Sequence, residues 1–442
     1  MGVATRLLAL VIGAPLVDWT LAPSVDDCQK NQTLHFERPV HVSPPRGPHD
    51  HPTYAAGFHT LKPGTTYIGV SGADGRVYAS TDGANTWHIW GSDATRGLEL
   101  GGTFVSPREA VLHNSGWVDN MVRSQPLREF RGAIITYFRV DPQSSAIVRS
   151  FAAEHTVFSS LPVPLTCGGS DCFWTTGSSA IQLPDRSWLQ TTVVPWLGGE
   201  FGAKAEVAGV YVWRSNDTLT WKLSGVVATA AQFPQSGEGP NENSISVAAD
   251  GRTLVAVIRM DGGDGLRWGN HRTKNYYRAE SRDWGTSWSK PAEMRDNTKK
   301  GIGCARPRLL SLGPDSPLLL SGGRLTTEGM AGIFVWVSSD GFGRGWDQVY
   351  SLSYTHNLLE PSPALRFPQT VNTTLDLEGC TGKGTPYPDC PLNTSRVHCP
   401  STYTYKNCST TGYTSLLRAG RNSAVVVYDG PSGIFSMRLV WR

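Results

Sequence analysis

Eight cysteines and five N-x-[ST] triplets are the residues whose type and spacing bear most directly on chemistry. The thiols are Cys28, Cys167, Cys172, Cys304, Cys380, Cys390, Cys399 and Cys408. Four fall within residues 380–408, too widely spaced for a compact zinc knuckle and without a paired C-x-x-C. The chemistry they suit is oxidation to disulfides in an oxidising compartment. The triplets begin at Asn31, Asn216, Asn372, Asn393 and Asn407. Three of them share the Cys-rich stretch, which therefore reads as an exposed, N-glycosylated loop. Other catalytic signatures are missing from the sequence. The 11 histidines form no H-E-x-x-H, and no serine sits in a G-x-S-x-G elbow. Ser321-Gly322-Gly323-Arg324 is not followed by the G-K-[ST] of a phosphate loop. No metal and no cofactor are expected.

The elements that carry such residues are read from composition and patterning. Of 442 residues, 39% are hydrophobic and 17% charged, with 48 glycines, 29 prolines and 15 tryptophans. Abundant turn formers beside abundant tryptophan suit many short strands. The 40 basic and 37 acidic residues leave a net charge of +3. No run of Lys/Arg makes a phosphate-binding track, so nucleic acid is not an expected partner. At the N-terminus Arg6 precedes an apolar run from Leu7 to Val17, with small residues soon after. Residues 1–22 thus have the shape of a secretory signal peptide, and the run is too short to span a bilayer. No later segment has 18 consecutive apolar residues, so no membrane span is expected. Together with the cysteines and the triplets, this predicts a secreted, lumenal or extracellular protein.

A repeat runs through the chain. Ser281-Arg-Asp283-Trp-Gly285-Thr-Ser-Trp288 has the pattern S-x-D-x-G-x-x-W. Ser80-Thr-Asp82-Gly-Ala84-Asn-Thr-Trp87 matches it except for Ala84 at the glycine position. Ser338-Ser-Asp340-Gly-Phe-Gly343-Arg-Gly-Trp346 carries one extra residue, and Ser215-Asn-Asp217-Thr-Leu-Thr-Trp221 is one short. Each copy follows an apolar or alternating run that reads as a strand. A tight turn needs a short acceptor side chain for its own amides, which Asp supplies, and glycine permits positive φ. The tryptophan folds back as an apolar plug. These residues staple hairpins and are not expected to catalyse.

The pattern resembles the Asp-box, or BNR, repeat of the sialidase (neuraminidase) superfamily. The resemblance implies an all-β fold, a six-bladed β-propeller with Asp-box turns, over residues 35–441. Residues 355–410, rich in cysteine and proline, interrupt the rhythm and read as an insertion. Blades are expected over about 54–90, 100–160, 175–225, 242–290, 305–352 and 412–441.

Two further stretches are similar to family segments. Glu242-Asn-Ser-Ile-Ser-Val opens a strand, and Arg259 closes the next one ahead of the box at Ser281. Gly412-Tyr413-Thr-Ser-Leu-Leu resembles the segment that carries the family's catalytic tyrosine. The resemblance implies Tyr413 as nucleophile, Glu242 as the base that takes its proton, and Asp74, in the loop GVSGADGRV, as general acid. It implies Arg259 and a further arginine gripping a substrate carboxylate, the latter Arg324 in LLLSGGRLTT or Arg306 in CARPRLL, with Arg324 preferred. A neutral phenol avoids the repulsion that a carboxylate nucleophile meets at an anomeric carbon bearing its own carboxylate, and sialidases are the tyrosine exception among retaining glycosidases. The family's early R-I-P triplet is absent. Arg46-Gly-Pro48 is the nearest string, and Arg38 is a second candidate. Asp429 stands where the family has a glutamate.

The expected partners are sialylated or other acidic glycans, and the expected activity is exo-α-sialidase-like retaining hydrolysis. Two alternatives stay open. One is a non-catalytic glycan-binding propeller that keeps Tyr413 and Glu242 as pocket residues. The other is a glycosidase of the same fold with a different sugar specificity.

Overall fold

A computed structural model describes residues 33–44, 57–62, 65–71, 76–89, 111–114, 132–140, 147–159, 175–176, 181–194, 208–216, 221–234, 236, 239–260, 275–297, 299, 301–303, 305–325, 331–367, 412–430 and 432–442. All eight cysteines, residues 1–22 and most of 355–410 lie outside these, as do Asn31, Asn372, Asn393 and Asn407. Asn216 is exposed just after a strand.

The regular structure of the described residues is almost entirely strand. β1 (Leu34–Phe36) and β2 (Val40–Ser43) are followed by an antiparallel sheet of β3 (Gly57–Lys62), β4 (Thr65–Ser71), β5 (Val77–Ser80) and β6 (His88–Ile89). Next come β7 (Val111–Asn114), β8 (Gly132–Val140), β9 (Ile147–Ser159), β10 (Thr175–Thr176), β11 (Ile181–Gln182), β12 (Trp188–Val194), β13 (Gly209–Ser215) and β14 (Trp221–Thr229). These eight form one sheet, because β14 pairs with β9 in parallel at Trp221 and Phe158. Two separate blades were expected over this stretch; the parallel pairing joins them at their outer strands.

Two four-stranded meanders follow. The first holds β15 (Asn243–Val247), β16 (Leu254–Ile258), β17 (Tyr277–Ser281) and β18 (Ala292–Glu293). The second holds β19 (Arg308–Ser311), β20 (Leu318–Leu325), β21 (Ala331–Ser338) and β22 (Gln348–Ser351). The last sheet has β23 (Thr414–Gly420), β24 (Ser423–Gly430) and β25 (Gly433–Trp441), and both β1 and β2 add to β25. That N-terminal contribution leaves no trace in the local pattern.

Alternation along the middle strands explains how the sheets stack. In β16 the side chains of Leu254, Ala256 and Ile258 join one apolar layer with Val210 and Val212, while Val255 and Val257 join another with Leu320 and Trp336. In β20 Leu319 faces Val426 and Phe435 of the last sheet, and in β24 Val425 and Val427 face Tyr78. A strand covered on both faces reads as a continuous apolar run, as LVAVI and SAVVVYDG do.

Three of the repeated turns share one hydrogen-bond pattern, the longest of them in part. Ser281 Oγ donates to Asp283 Oδ1 (2.9 Å) and accepts from the Gly285 amide (2.8 Å), while Asp283 Oδ1 also accepts the Ser287 amide (2.9 Å). Ser80 and Asp82 do the same with the amides of Ala84 (2.8 Å) and Thr86 (3.0 Å). The longer copy keeps the serine half of it, Ser338 Oγ donating to Asp340 and accepting from Gly343 one residue later, while Asp340 Oδ1 accepts from the amides of Phe342 (2.8 Å) and Gly343 (3.1 Å) nearer the start of the turn. The position after the middle of the turn has positive φ, +88° at Gly285 and +72° at Ala84. Asp217 of the fourth copy lies outside the described residues, whereas its Ser215 and Trp221 are buried in β13 and at the start of β14.

The helix Leu352–Leu359, capped by Ser351, leads out of the β22 strand. It buries His356, whose Nδ1 lies 2.8 Å from Tyr428 Oη and whose Nε2 lies 3.0 Å from the Leu365 carbonyl. The carbonyl only accepts, so Nε2 carries the proton and Nδ1 accepts from the phenol. Burial pushes the His356 pKa down to about 4.

Candidate functional site

Glu242, Arg308 and Tyr413 stand at the starts of three inner strands. Glu242 and Tyr413 immediately precede β15 and β23, and Arg308 is the first residue of β19. Inner strands have a free edge, and side chains of neighbouring sheets cover it. The Leu309 amide donates to Ser244 Oγ (3.0 Å) and the Ser311 amide to Ser246 Oγ (3.2 Å). Ser321 Oγ and Thr414 Oγ1 meet at 2.6 Å, tying β20 to β23. These ties hold the strand starts at one level.

The β15–β16 ladder sets the first pair. Asn243 faces Ile258, so Glu242 faces Arg259 one step further, and the Arg259 amide donates to the Glu242 carbonyl (2.8 Å). Directly opposed residues of an antiparallel pair present their side chains on one face. Arg259 Nη1 accordingly reaches Glu242 Oε2 at 2.5 Å. The same nitrogen donates to Tyr413 Oη (3.1 Å), and Tyr413 Oη donates to Glu242 Oε1 (2.8 Å). Tyr413 is 8% exposed and Arg259 4%, while the Glu242 side chain keeps 20% of its surface. A phenol, a carboxylate and a guanidinium thus close a three-membered ring of hydrogen bonds with only the carboxylate open to solvent.

Electrostatics fix the protonation state. Burial pushes the Glu242 carboxyl up, but the charges of Arg259 and Arg306 and the hydrogen bonds from Arg259 and Tyr413 outweigh it, and the pKa falls below the ordinary carboxylate value. Glu242 is therefore an ionised acceptor already hydrogen-bonded to a phenol. Such a pair can move the phenolic proton to the carboxylate as the oxygen forms a bond elsewhere.

Arg306 lies two residues before β19, half-buried, close enough for its charge to act on Glu242. The segment is braced from below. Tyr276 Oη donates to the Ala305 carbonyl, and its ring fills the space beside Gly303 and Gly322, where a Cβ would sit 2.2 Å or less from ring or phenol atoms. Arg308 is the functional-site residue that sequence reasoning missed. It is 8% exposed, and burial followed by repulsion from Arg306 holds its guanidinium pKa well below the ordinary arginine value, against the attraction of Glu242 and Tyr413. The available signal was its two-residue spacing from Arg306, which puts both on one side of an extended chain.

The remaining expected site residues divide in two. Arg324 belongs to the end of β20, its backbone paired with Gly332. Asp74 and Arg46 lie outside the described residues. Arg38 is largely exposed, with Nη2 3.7 Å from the buried Glu360. Asp429 is fully buried, one step beyond the Tyr428–Thr414 pair and so level with Tyr413. Among the described residues no cluster of three or more His, Cys, Asp or Glu is placed to hold a metal ion, and no helix is long and apolar enough to cross a membrane.

No protein-family model matches the chain, and no curated protein matches it. Solved structures do. A protein of unknown function from Dyadobacter fermentans DSM 18053 superposes with a TM-score of 0.52 at 16% identity, covering 92% of this chain and 99% of that one. The α-L-arabinofuranosidase Arb93A from Fusarium graminearum gives 0.48 at 12% identity, over 92% and 98%. The Hadza microbial sialidase Hz136 gives 0.44 at 13% identity, over 87% and 65%. The chain has an all-β fold of the propeller family. Likeness at these identities speaks to the fold, so function has to be argued from the site.

Proposed function

We propose that the protein is an exo-α-sialidase-like retaining glycoside hydrolase built on a closed six-bladed propeller with Asp-box turns. One observation carries the reading: the buried Tyr413 phenol donates to an ionised Glu242 at 2.8 Å, with arginine alongside. Tyr413 Oη attacks the anomeric carbon as its proton passes to Glu242. Asp74 protonates the departing glycosidic oxygen, which leaves with the bonding electron pair. Asp74 then deprotonates a water that attacks the same carbon, and Tyr413 departs, recovering its proton from Glu242. Arg259, Arg306 and Arg324 are the arginines proposed to meet a carboxylate on the sugar, and a guanidinium fork suits that group. Secretion through residues 1–22, disulfides and N-glycans complete the proposal, with sialylated or other acidic glycans as substrates.

A second reading has a specific observation behind it. Arg259 Nη1 is already shared between Glu242 and Tyr413. An arginine used to hold the catalytic pair favours a same-fold glycosidase acting on a different sugar. Hydrolysis of a fluorogenic α-sialoside and of a fluorogenic α-arabinofuranoside, by wild type and Tyr413→Phe across about pH 4 to 8, separates the readings. Sialoside turnover lost in the variant supports the first. Turnover of the neutral furanoside alone supports the second. No turnover of either by folded wild type leaves a glycan-binding propeller.

A further inference from the structure

The inner strands β15, β19 and β23 all start at the catalytic ring and run away from it. Between them lies a cavity of about 480 Å³. Its walls are mostly apolar, from Ile245, Val247, Leu309, Leu416 and Leu417, and Arg308 lines it too. The strand directions put Arg308 at the floor. The turns at Gly251 and at Gly313–Pro314, with the exposed Arg418, frame the far end. The cavity therefore extends from Arg308 along the strands to these turns.

A guanidinium at the floor of such a cavity is unusual. Arg308 is 8% exposed, and its Nε has no hydrogen-bond partner among the described residues. Burying a cation is expensive, the attraction of Glu242 offsets only part of that cost, and a buried donor without an acceptor adds to it. Arg306 alongside makes the position less favourable still. One negative charge with acceptor oxygens would relieve it. Apolar walls above the charge, in a volume typical of small-molecule sites, specify the rest of the ligand.

We propose that this cavity is a second ligand site, distinct from the sugar site, which takes an unbranched monocarboxylate amphiphile of medium length. Its carboxylate sits against Arg308, its chain lies between β15, β19 and β23, and it enters past Arg418.

The test is a calorimetric titration of the full-length protein with decanoate, with decanol and acetate as comparators. Saturable decanoate binding is expected, with decanol weaker by about tenfold or more for want of the charge, and acetate weaker for want of the chain. Arg308→Met is expected to weaken decanoate by at least about tenfold while leaving decanol unchanged, and Arg308→Lys to retain part of the affinity. Arg418→Glu, an exposed change that leaves folding intact, is expected to weaken and slow decanoate uptake several-fold at low salt. Absence of decanoate binding to folded wild type, or equal binding of decanol and decanoate, would overturn the site. Undiminished binding to folded Arg308→Met would overturn the role of Arg308, and the decanol comparison decides alone if that variant does not fold. An unaltered Arg418→Glu would overturn the entrance. None of these readouts depends on glycosidase activity, so they stand whichever sugar the catalytic ring takes.

Discussion

At the outer turns, Asp283 finds its partners within the same eight-residue turn: Ser281 Oγ, the Ser287 amide and Ser287 Oγ. At the inner strand starts, Glu242, Arg259, Arg308 and Tyr413 come from three sheets and meet only because those sheets pack. The turns are polar, local and satisfied, and Asp82 is held near a pKa of about 2 by a dense set of donors that outweighs its burial. The inner ring is polar, non-local and incompletely satisfied, with Arg308 Nε unpartnered among the described residues. The first region serves stability, because each bond forms as soon as its hairpin does. The second is where unrelieved charge is available to a ligand.

Variants sharpen that contrast. Tyr413→Phe is expected to lower kcat/KM by roughly a thousandfold or more while leaving the thermal midpoint nearly unchanged. A loss under tenfold in steady-state kinetics would contradict a nucleophilic phenol. Glu242→Gln should lower kcat/KM by about a hundredfold or more. Since the Glu242 pKa lies below the ordinary value, the acid limb of wild-type activity should fall below about pH 4.3. By linkage its ionised pairing stabilises the fold fully above the unfolded carboxyl value and fades as pH falls through the lower folded value.

His356 tests a third arrangement, buried yet satisfied. Its folded pKa of about 4 lies below the ordinary 6.5, so the unfolded chain binds the extra proton first on acidification. The neutral imidazole's contribution is complete above pH 6.5 and is lost as pH falls towards 4, a change on the order of 3 kcal/mol. His356→Gln should flatten the melting temperature over that interval. A wild-type melting curve that is already flat there would argue against a neutral His356.

Ser281→Ala removes a buried hydroxyl that both donates and accepts, and should cost about 1–2 kcal/mol in urea unfolding without altering kcat/KM. An equal loss of activity would mean that the turns and the inner ring are coupled. The smallest effect is a gain. Ala84 holds φ +72° where its counterpart is Gly285, so Ala84→Gly should stabilise by up to about 1 kcal/mol, offset in part by glycine's greater freedom when unfolded.

The two regions were not equally legible. The Ser-Asp-Trp spacing exposes the turns because their bonds are local, and the middle strands announce themselves as runs such as LVAVI. Glu242, Arg259 and Tyr413 stand out as strand-end residues, yet the ring they form depends on register between sheets. Arg308 escaped notice because it sits inside an ordinary apolar opening, RLLS, and its strain comes first from burial, which only the packed sheets impose, and then from Arg306 beside it. The parallel β9–β14 pairing and the addition of β1 and β2 to β25 have no local signature, because sequence pattern specifies which face of a strand is buried and not which strand lies beside it.

That last pairing has a consequence for how the molecule is made. Leu34 lies opposite Trp441, about 400 residues away along the chain, so one sheet remains unfinished until that distant strand has been made. The intervening sheets can assemble in order as they emerge from the ribosome, with each new hairpin docking on the one before. The opening strands must wait, exposed edges and all, for the closing one. Premature termination would therefore remove more than the missing residues: it would leave β1 and β2 without their template and free to pair with another chain.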